Sequence, residues 1–280
     1  PAYAKRIDPN PRAEGFVTDE NKDQYPELGN NRVGVSMQYV GREPRFYASV
    51  AYNGSTWYLL NEPNDANKDK QIFYYRGGGN GYTNTMFWLR TGIGVMKFVH
   101  PDDTNRDEKE EYIRKKAEPA IRYAEILLIY AEALNELTGN YNIASWDEET
   151  QYTIQRNIDE MKKGIQPIRI RAGIPDYTRS EYEDQDLFRE KLKRERQIEL
   201  MGEGHRYYDI RRWKDAEVEE SLPIYGCNTL MTEKWRDVFH VPVAIPSLPT
   251  NFSRKMYFWP ISHSELKRNK MLTQNPGWTY

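Results

Sequence analysis

The sequence predicts a mainly α fold: two helical hairpins in mid-chain, framed by long irregular arms that carry a few short β-hairpins. Three observations carry this. Apolar residues between about 119 and 201 recur at spacings of three and four, S-x-x-E patterns precede two of those runs, and Pro and Gly punctuate both flanks. The 280 residues read as one unit, 1–280. It comprises a loop-rich region (1–110), a helical core (111–216) and an irregular C-terminal arm (217–280).

In the first region Pro9, Pro11, Pro26, Pro44 and Pro63 break the chain, as do Gly77, Gly78, Gly79 and Gly81. Arg45–Tyr52 and Gln71–Arg76 are aromatic runs that predict short strands, the first closed by the turn pair Asn53-Gly54. From Pro119 to Leu137, Ala120, Ala124, Leu127, Ala131 and Leu134 line one helix face, and Ile121, Leu128, Ile126, Tyr130, Ala133 and Leu137 widen it, which predicts burial on more than one side. Gly139 is placed to end that helix. Ser145 with Glu148 predicts the start of a second helix through Ile154, Ile158, Met161 and Ile165, kinked or ended by Pro167. Ser180 with Glu183 predicts a third, through Leu187, Phe188, Leu192 and Ile198, followed by a short helix near Tyr207–Ala216. Prolines from Pro223 to Pro276 keep the last arm irregular.

Composition narrows the function. With 40 basic and 42 acidic side chains the net charge is -2, which excludes a generally basic nucleic-acid binder. A mean hydropathy of -0.89 points to large exposed loops, while 21 Tyr, 7 Trp and 9 Phe supply a core and half-exposed recognition surfaces. Cys227 is the single cysteine, so no internal disulfide forms, and no apolar run approaches the roughly 18 residues of a membrane helix. The start, Pro1-Ala2-Tyr3, is neither an initiator Met nor a signal peptide and reads as a processed or truncated chain.

Catalytic chemistry finds little support. His100, His205, His240 and His263 are scattered without zinc spacing, and no G-x-S-x-G elbow occurs. Gly77–Gly81 lacks the Lys-Ser/Thr of a phosphate loop and reads as a hairpin tip. Asp102, Asp103, Asn105 and Asp107 are candidate oxygen ligands for calcium, but the run lacks the EF-hand Gly and Glu offsets, so the reading is no cofactor. Glu195–Trp213 is dense in charges and aromatics. It fits an anionic-ligand site or, better, a compensated Arg/Glu/Asp network tying helices together. The remaining signal is Trp57, Tyr58, Tyr74, Tyr75, Tyr82, Phe87 and Trp88, set among Gly and Asn with few aliphatics. Sugars offer C–H faces that stack on such rings and hydroxyls that need polar partners, here Asn53, Asn61, Asn80, Asn84, Arg76 and Arg90.

Four motifs, in order, carry a resemblance. They are Arg122-Tyr123-Ala124-Glu125 through Ala131-Glu132-Ala133-Leu134-Asn135-Glu136, and Ile168-Arg169-Ile170-Arg171-Ala172-Gly173-Ile174-Pro175. Next come Glu195-Arg196 and Glu199-Leu200 with Glu203-Gly204-His205-Arg206 and Asp209-Ile210-Arg211-Arg212-Trp213. Last are Trp259-Pro260-Ile261 and Leu272-Thr273-Gln274-Asn275-Pro276-Gly277. Together they resemble the SusD/RagB family, and correspond to the second, C-terminal half of a typical member. Pro167, and Ser262 in place of a second proline, depart from its pattern.

The resemblance implies tetratricopeptide-like helical hairpins and a non-enzymatic, surface-exposed lipoprotein of the outer membrane. Such a protein captures oligosaccharide or polysaccharide for import through a partner SusC-like TonB-dependent transporter, touching the membrane only through a lipid anchor absent from this chain. The matched motifs are helix-packing motifs, so they imply fold and not site residues. The site expected from the residues is Trp57, Tyr75, Tyr82 and Trp88 as stacking platforms, with Arg76 and Asn84 as hydroxyl partners. The alternative is a helical protein–protein interaction scaffold with aromatic docking loops.

Overall fold

The computed structural model describes residues 15–279 apart from 60–61, 63–67, 85, 87, 107–109, 118, 247 and 249, with backbone alone at 58, 104–106 and 110–112. Its centre is helical: α2 (Tyr123–Asn135), α3 (Ile158–Arg171), α4 (Arg179–Glu183), α5 (Gln185–Glu199), α6 (His205–Arg212) and α7 (Ala216–Glu219). Before it come α1 (Pro44–Ser49), β1 (Val50–Ala51), β2 (Thr56–Tyr58), β3 (Asp69–Gln71), β4 (Gly94–Val95), β5 (Thr104–Arg106) and β6 (Glu110–Tyr112). Between α2 and α3 stands a hairpin of β7 (Tyr141–Ala144) and β8 (Gln151–Ile154); after α7 come β9 (Tyr225–Gly226), α8 (Arg236–Phe239), β10 (Val243–Ala244) and α9 (His263–Arg268). The strands pair only in twos, all antiparallel: β1 with β4, β2 with β3, β5 with β6, β7 with β8 and β9 with β10.

The mainly helical class is as expected, and the helix faces follow from periodicity. Ala124, Leu128, Ala131 and Leu134 of α2 meet Met161, Ile165 and Ile168 of α3, and Tyr182, Phe188 and Leu192 of α4 and α5 close the cluster. Gly164 is where α3 crosses α2: a Cβ there would stand 2.5 Å from the Leu127 carbonyl oxygen and 2.9 Å from Ala131 Cβ. The other side of α2 is open, leaving Tyr123, Ile126, Ile129 and Tyr130 exposed, so the expected burial on more than one side is not met within this chain.

Four local expectations are corrected. Residues 44–49 form a helix and not a strand, because Pro44 stands at its first position and the Phe46 N–H closes onto the Glu43 carbonyl at 2.9 Å. Ser145 opens no helix: alternating Tyr141, Ile143, Tyr152 and Ile154 pair across a hairpin, whose tip uses Ser145 Oγ as acceptor for the Thr150 N–H. The helix starts instead at Ile158, with Asn157 Oδ1 accepting the Glu160 N–H. It runs through Pro167, since buried Ile165 and Ile168 on either side outweigh one missing hydrogen bond, and ends at Gly173 (φ 73) in a Schellman turn, Ile174 N–H to Arg169 O at 3.0 Å. The capping box before α4 is Thr178 with Glu181, while Asp184 ends α4 and caps α5.

The loop-rich region has two aromatic cores of its own. Val17, Leu28, Val35, Tyr39 and Tyr52 form one, with Tyr39 and Tyr52 ring centres 4.5 Å apart. Ala51, Ile72, Tyr74, Cys227 and Phe239 form the other, so the C-terminal arm folds onto the loop-rich region. Backbone bonds fasten them: Cys227 N–H to Thr91 O at 2.9 Å and Arg76 N–H to Met231 O at 2.8 Å. His240 is half-buried against Phe16, Tyr39 and Phe239, and its Nδ1 lies 2.7 Å from the Arg236 carbonyl oxygen.

Candidate functional site

The expected stacking residues fall into two groups. Trp57 lies on β2 opposite Lys70, half-buried against the Ile72–Phe239 core. Tyr75 leans on that same core, edge-to-face with Phe239 at 6.4 Å and tilted against Phe73 at 5.2 Å. Burial, with Glu233 nearby, pushes the Tyr75 hydroxyl above its ordinary pKa. The glycine run after it folds back, Gly78 N–H to Tyr75 O at 2.9 Å and Asn80 N–H to Phe73 O at 3.0 Å, which leaves the Arg76 side chain exposed. Asn53 is not available as a hydroxyl partner: it is buried, and its Oδ1 accepts the Tyr74 N–H at 2.8 Å.

Tyr82 and Trp88 form the second group, edge-to-face with ring centres 5.3 Å apart and both half-exposed. In that geometry the ring that offers its edge keeps both faces clear of the other ring, and a free face is what stacking on a sugar ring requires. Asn84 is exposed beside them, with Oδ1 accepting the Met86 N–H at 2.8 Å. Among the described residues the two groups share no ring contact. Phe87, Asn61 and the Tyr58 side chain lie outside the described residues. Exposed aromatic rings also occur far from residues 57–90, at Trp146 and Trp259, and sequence has no signal for that, because exposure is set by what fails to pack on them.

The charged segment from Glu195 to Trp213 is the compensated network. Glu199, 4 % exposed, receives Arg45 at 3.1 Å, Arg122 at 3.0 Å and Arg171 at 2.5 Å. Burial alone would raise its pKa, but those guanidinium groups outweigh burial and hold the carboxyl below its ordinary value. Glu195 pairs with Arg45 and Arg169, both at 2.7 Å, and Asp209 accepts two bonds from Arg196 at 3.0 Å. Glu203 takes Lys97 and Arg122. Of the calcium candidates, Asp102 is paired with Arg114, and Asp103 with Lys116 at 2.7 Å. Asp103 also accepts the His100 and Arg114 N–H groups; burial is the largest single influence and raises its pKa, but the Lys116 bond and those two N–H groups together outweigh it and lower the pKa to about 2. The Asn105 side chain and Asp107 lie outside the described residues, and no three His, Cys, Asp or Glu side chains converge among the described ones.

Comparison with known proteins places this architecture. BT4246 superposes with a TM-score of 0.72 at 24 % identity, over 94 % of this chain and 41 % of that one. A SusD-like protein of Bacteroides fragilis, BF3747, superposes with a TM-score of 0.60 at 26 % identity, over 86 % and 39 %. SusD-like protein P2 of Formosa agariphila is 31 % identical over 162 residues, which is 56 % of this chain; the chain thus spans about a quarter of that relative's length. The sequence profile of the SusD family matches residues 9–278, and the chain belongs to the SusD family.

Proposed function

We propose that this chain is part of a cell-surface glycan-binding protein that captures oligosaccharide or polysaccharide and passes it, unaltered, to a partner TonB-dependent outer-membrane transporter. Membership of the SusD family over 9–278 carries the reading. The half-exposed edge-to-face pair Tyr82–Trp88, with Asn84 close in the chain, supports a stacking site there, and Trp57, Tyr75 and Arg76 are a second, separate candidate group. No helix among the described residues is long and apolar enough to cross a membrane. In this reading a lipid anchor holds the protein at the outer-membrane surface.

Calorimetry against a panel of soluble polysaccharides tests the proposal. Saturable heat with one glycan class is expected, and Trp88→Ala weakens it at least about tenfold, with the unfolding midpoint little changed. Trp57→Ala is a poorer probe, since that ring leans on a core and its loss mixes folding with binding. Unchanged affinity in Trp88→Ala removes the site assignment. Silence from the folded chain across the panel removes the glycan reading and favours a protein-docking scaffold.

A further inference from the structure

Tyr75 and Arg76 meet a segment from far along the chain. Arg76 forms an isolated parallel bridge with Thr232, and its N–H donates to the Met231 carbonyl at 2.8 Å. Bridged backbones lie about 4.8 Å apart, so residues 75–76 and 231–232 share one edge of the Ile72–Phe239 core, on which Tyr75 and Met231 both pack. Thr232 then opens a 3-10 turn, Glu233–Trp235, and the Trp235 N–H donates back to the Thr232 carbonyl at 2.9 Å. That turn leads straight into α8, which carries Phe239 edge-to-face with Tyr75. The C-terminal arm therefore folds Thr232, Glu233 and Trp235 beside Tyr75 and Arg76. The influence of Glu233 on the Tyr75 hydroxyl reflects the same proximity.

What this neighbourhood leaves in water is chemically specific. Trp235 is 54 % exposed, and Arg76, Thr232 and Glu233 are exposed as well. Among the described residues none of those three side chains makes a hydrogen bond or an ion pair. Elsewhere the chain spends its charges, with Glu43, Glu195, Glu199 and Glu203 all taken up by arginine or lysine. Lys234 lies over one face of the Trp235 ring, 5.8 Å from its centre, so stacking would use the opposite face.

An aromatic face alone accepts any apolar surface. A guanidinium that only donates and a carboxylate that only accepts add a requirement, because each hydroxyl of a pyranose does both. Two adjacent hydroxyls can donate to Glu233 and accept from Arg76 while the C–H face of the sugar lies on the indole. A purely apolar partner would strand both charges, and a free anion would meet Glu233.

We propose that Tyr75, Arg76, Glu233 and Trp235 form a second sugar-binding site, built across the bridge between the loop-rich region and the C-terminal arm, that takes a pyranose residue with two adjacent free hydroxyls. This rests on the glycan reading, and it adds Glu233 and Trp235 to the second candidate group.

Calorimetry with soluble starch, xylan, dextran and pectin, all of which carry adjacent free hydroxyls, tests the site. For a polysaccharide that gives saturable heat, Trp235→Ala is expected to weaken binding about tenfold and Trp235→Phe to recover most of that loss. Glu233→Gln should weaken it about threefold with the unfolding midpoint unchanged, since that side chain is exposed. Trp259→Ala, which removes another exposed ring of the same arm, should leave affinity unaltered. Affinity indifferent to Trp235→Ala or, should that variant not fold, to Glu233→Gln, while Trp88→Ala weakens it, overturns this site and leaves the glycan reading standing. Equal losses in Trp235→Ala and Trp259→Ala overturn it too, because any exposed ring would then serve. A folded wild-type chain silent towards every polysaccharide removes the glycan reading and this site with it.

Discussion

The helical core buries Leu128, Ile165, Phe188 and Leu192 in one largely aliphatic cluster, whereas the loop-rich region and C-terminal arm bury Tyr39, Tyr52, Tyr74 and Phe239 around strands of two or three residues. A helix satisfies its backbone internally and needs only one apolar face. Strands that short satisfy few of their own groups, so the loop-rich side borrows partners from far along the chain, Thr91 for Cys227 and Met231 for Arg76. The two regions meet in charges: Arg45 and Lys97 from the loop side reach Glu195, Glu199 and Glu203 on the helical side. Packing holds each region, and compensated ion pairs tie one to the other.

The sharpest way to break that comparison is to truncate one phenylalanine in each region. Phe188 and Phe239 are both 0 % exposed, so Phe188→Ala and Phe239→Ala should each cost about 3–5 kcal/mol. If the ionic seam couples the regions, both variants shift a single urea transition; a second transition in Phe239→Ala alone would show that the loop side unfolds independently. Removing the seam's central carboxylate, Glu199→Ala, leaves Arg45 with Glu43 and Glu195 and Arg122 with Glu203, takes a partner from Arg171, and should cost about 1–3 kcal/mol, seen as a lower urea midpoint.

Gly164→Ala probes helical packing alone. Better helix propensity is worth about 1 kcal/mol, against overpacking of about 1–3 kcal/mol where the new Cβ meets the Leu127 carbonyl, so net destabilisation is expected in a thermal melt. The smallest effect belongs to the loop side. Burial holds the His240 pKa below its ordinary value, with Arg236 and Asp237 the charged groups beside it. The unfolded chain therefore binds the proton more tightly, and the contribution is complete above about pH 6.5 and lost as pH falls below it. Urea midpoints measured from about pH 7.5 down to about 5.5 should decline, and His240→Gln should flatten the decline.

Legibility in the sequence follows the same divide. The faces of α2, α3 and α5 were readable because Leu128, Ile165 and Leu192 sit at helical spacing, and neighbours three and four apart suffice to define a face. Local patterns failed where one pattern serves two structures. Ser145-Trp146-Asp147-Glu148 reads as a capping box, yet the flanking Tyr141, Ile143, Tyr152 and Ile154 pair across a hairpin and take the serine for its tip. Arg45–Tyr52 reads as a strand, yet Pro44 starts a helix that sends Arg45 to glutamates 150 and more residues away. The aromatics at 57–90 were visible as a cluster, but not that Trp57 and Tyr75 lean on a core while Tyr82 and Trp88 pair in the open.

By itself, then, the sequence determined the helical class, the apolar faces and the family motifs, because each is written in residues a few positions apart. Tertiary structure alone decided that the last arm closes the aromatic core through Cys227 and Phe239, that the acids of the charged segment meet arginines from three other elements, and that Trp146 stands in solvent. Those outcomes rest on which distant groups meet, and burial, pairing and exposure are properties of the meeting rather than of the residue.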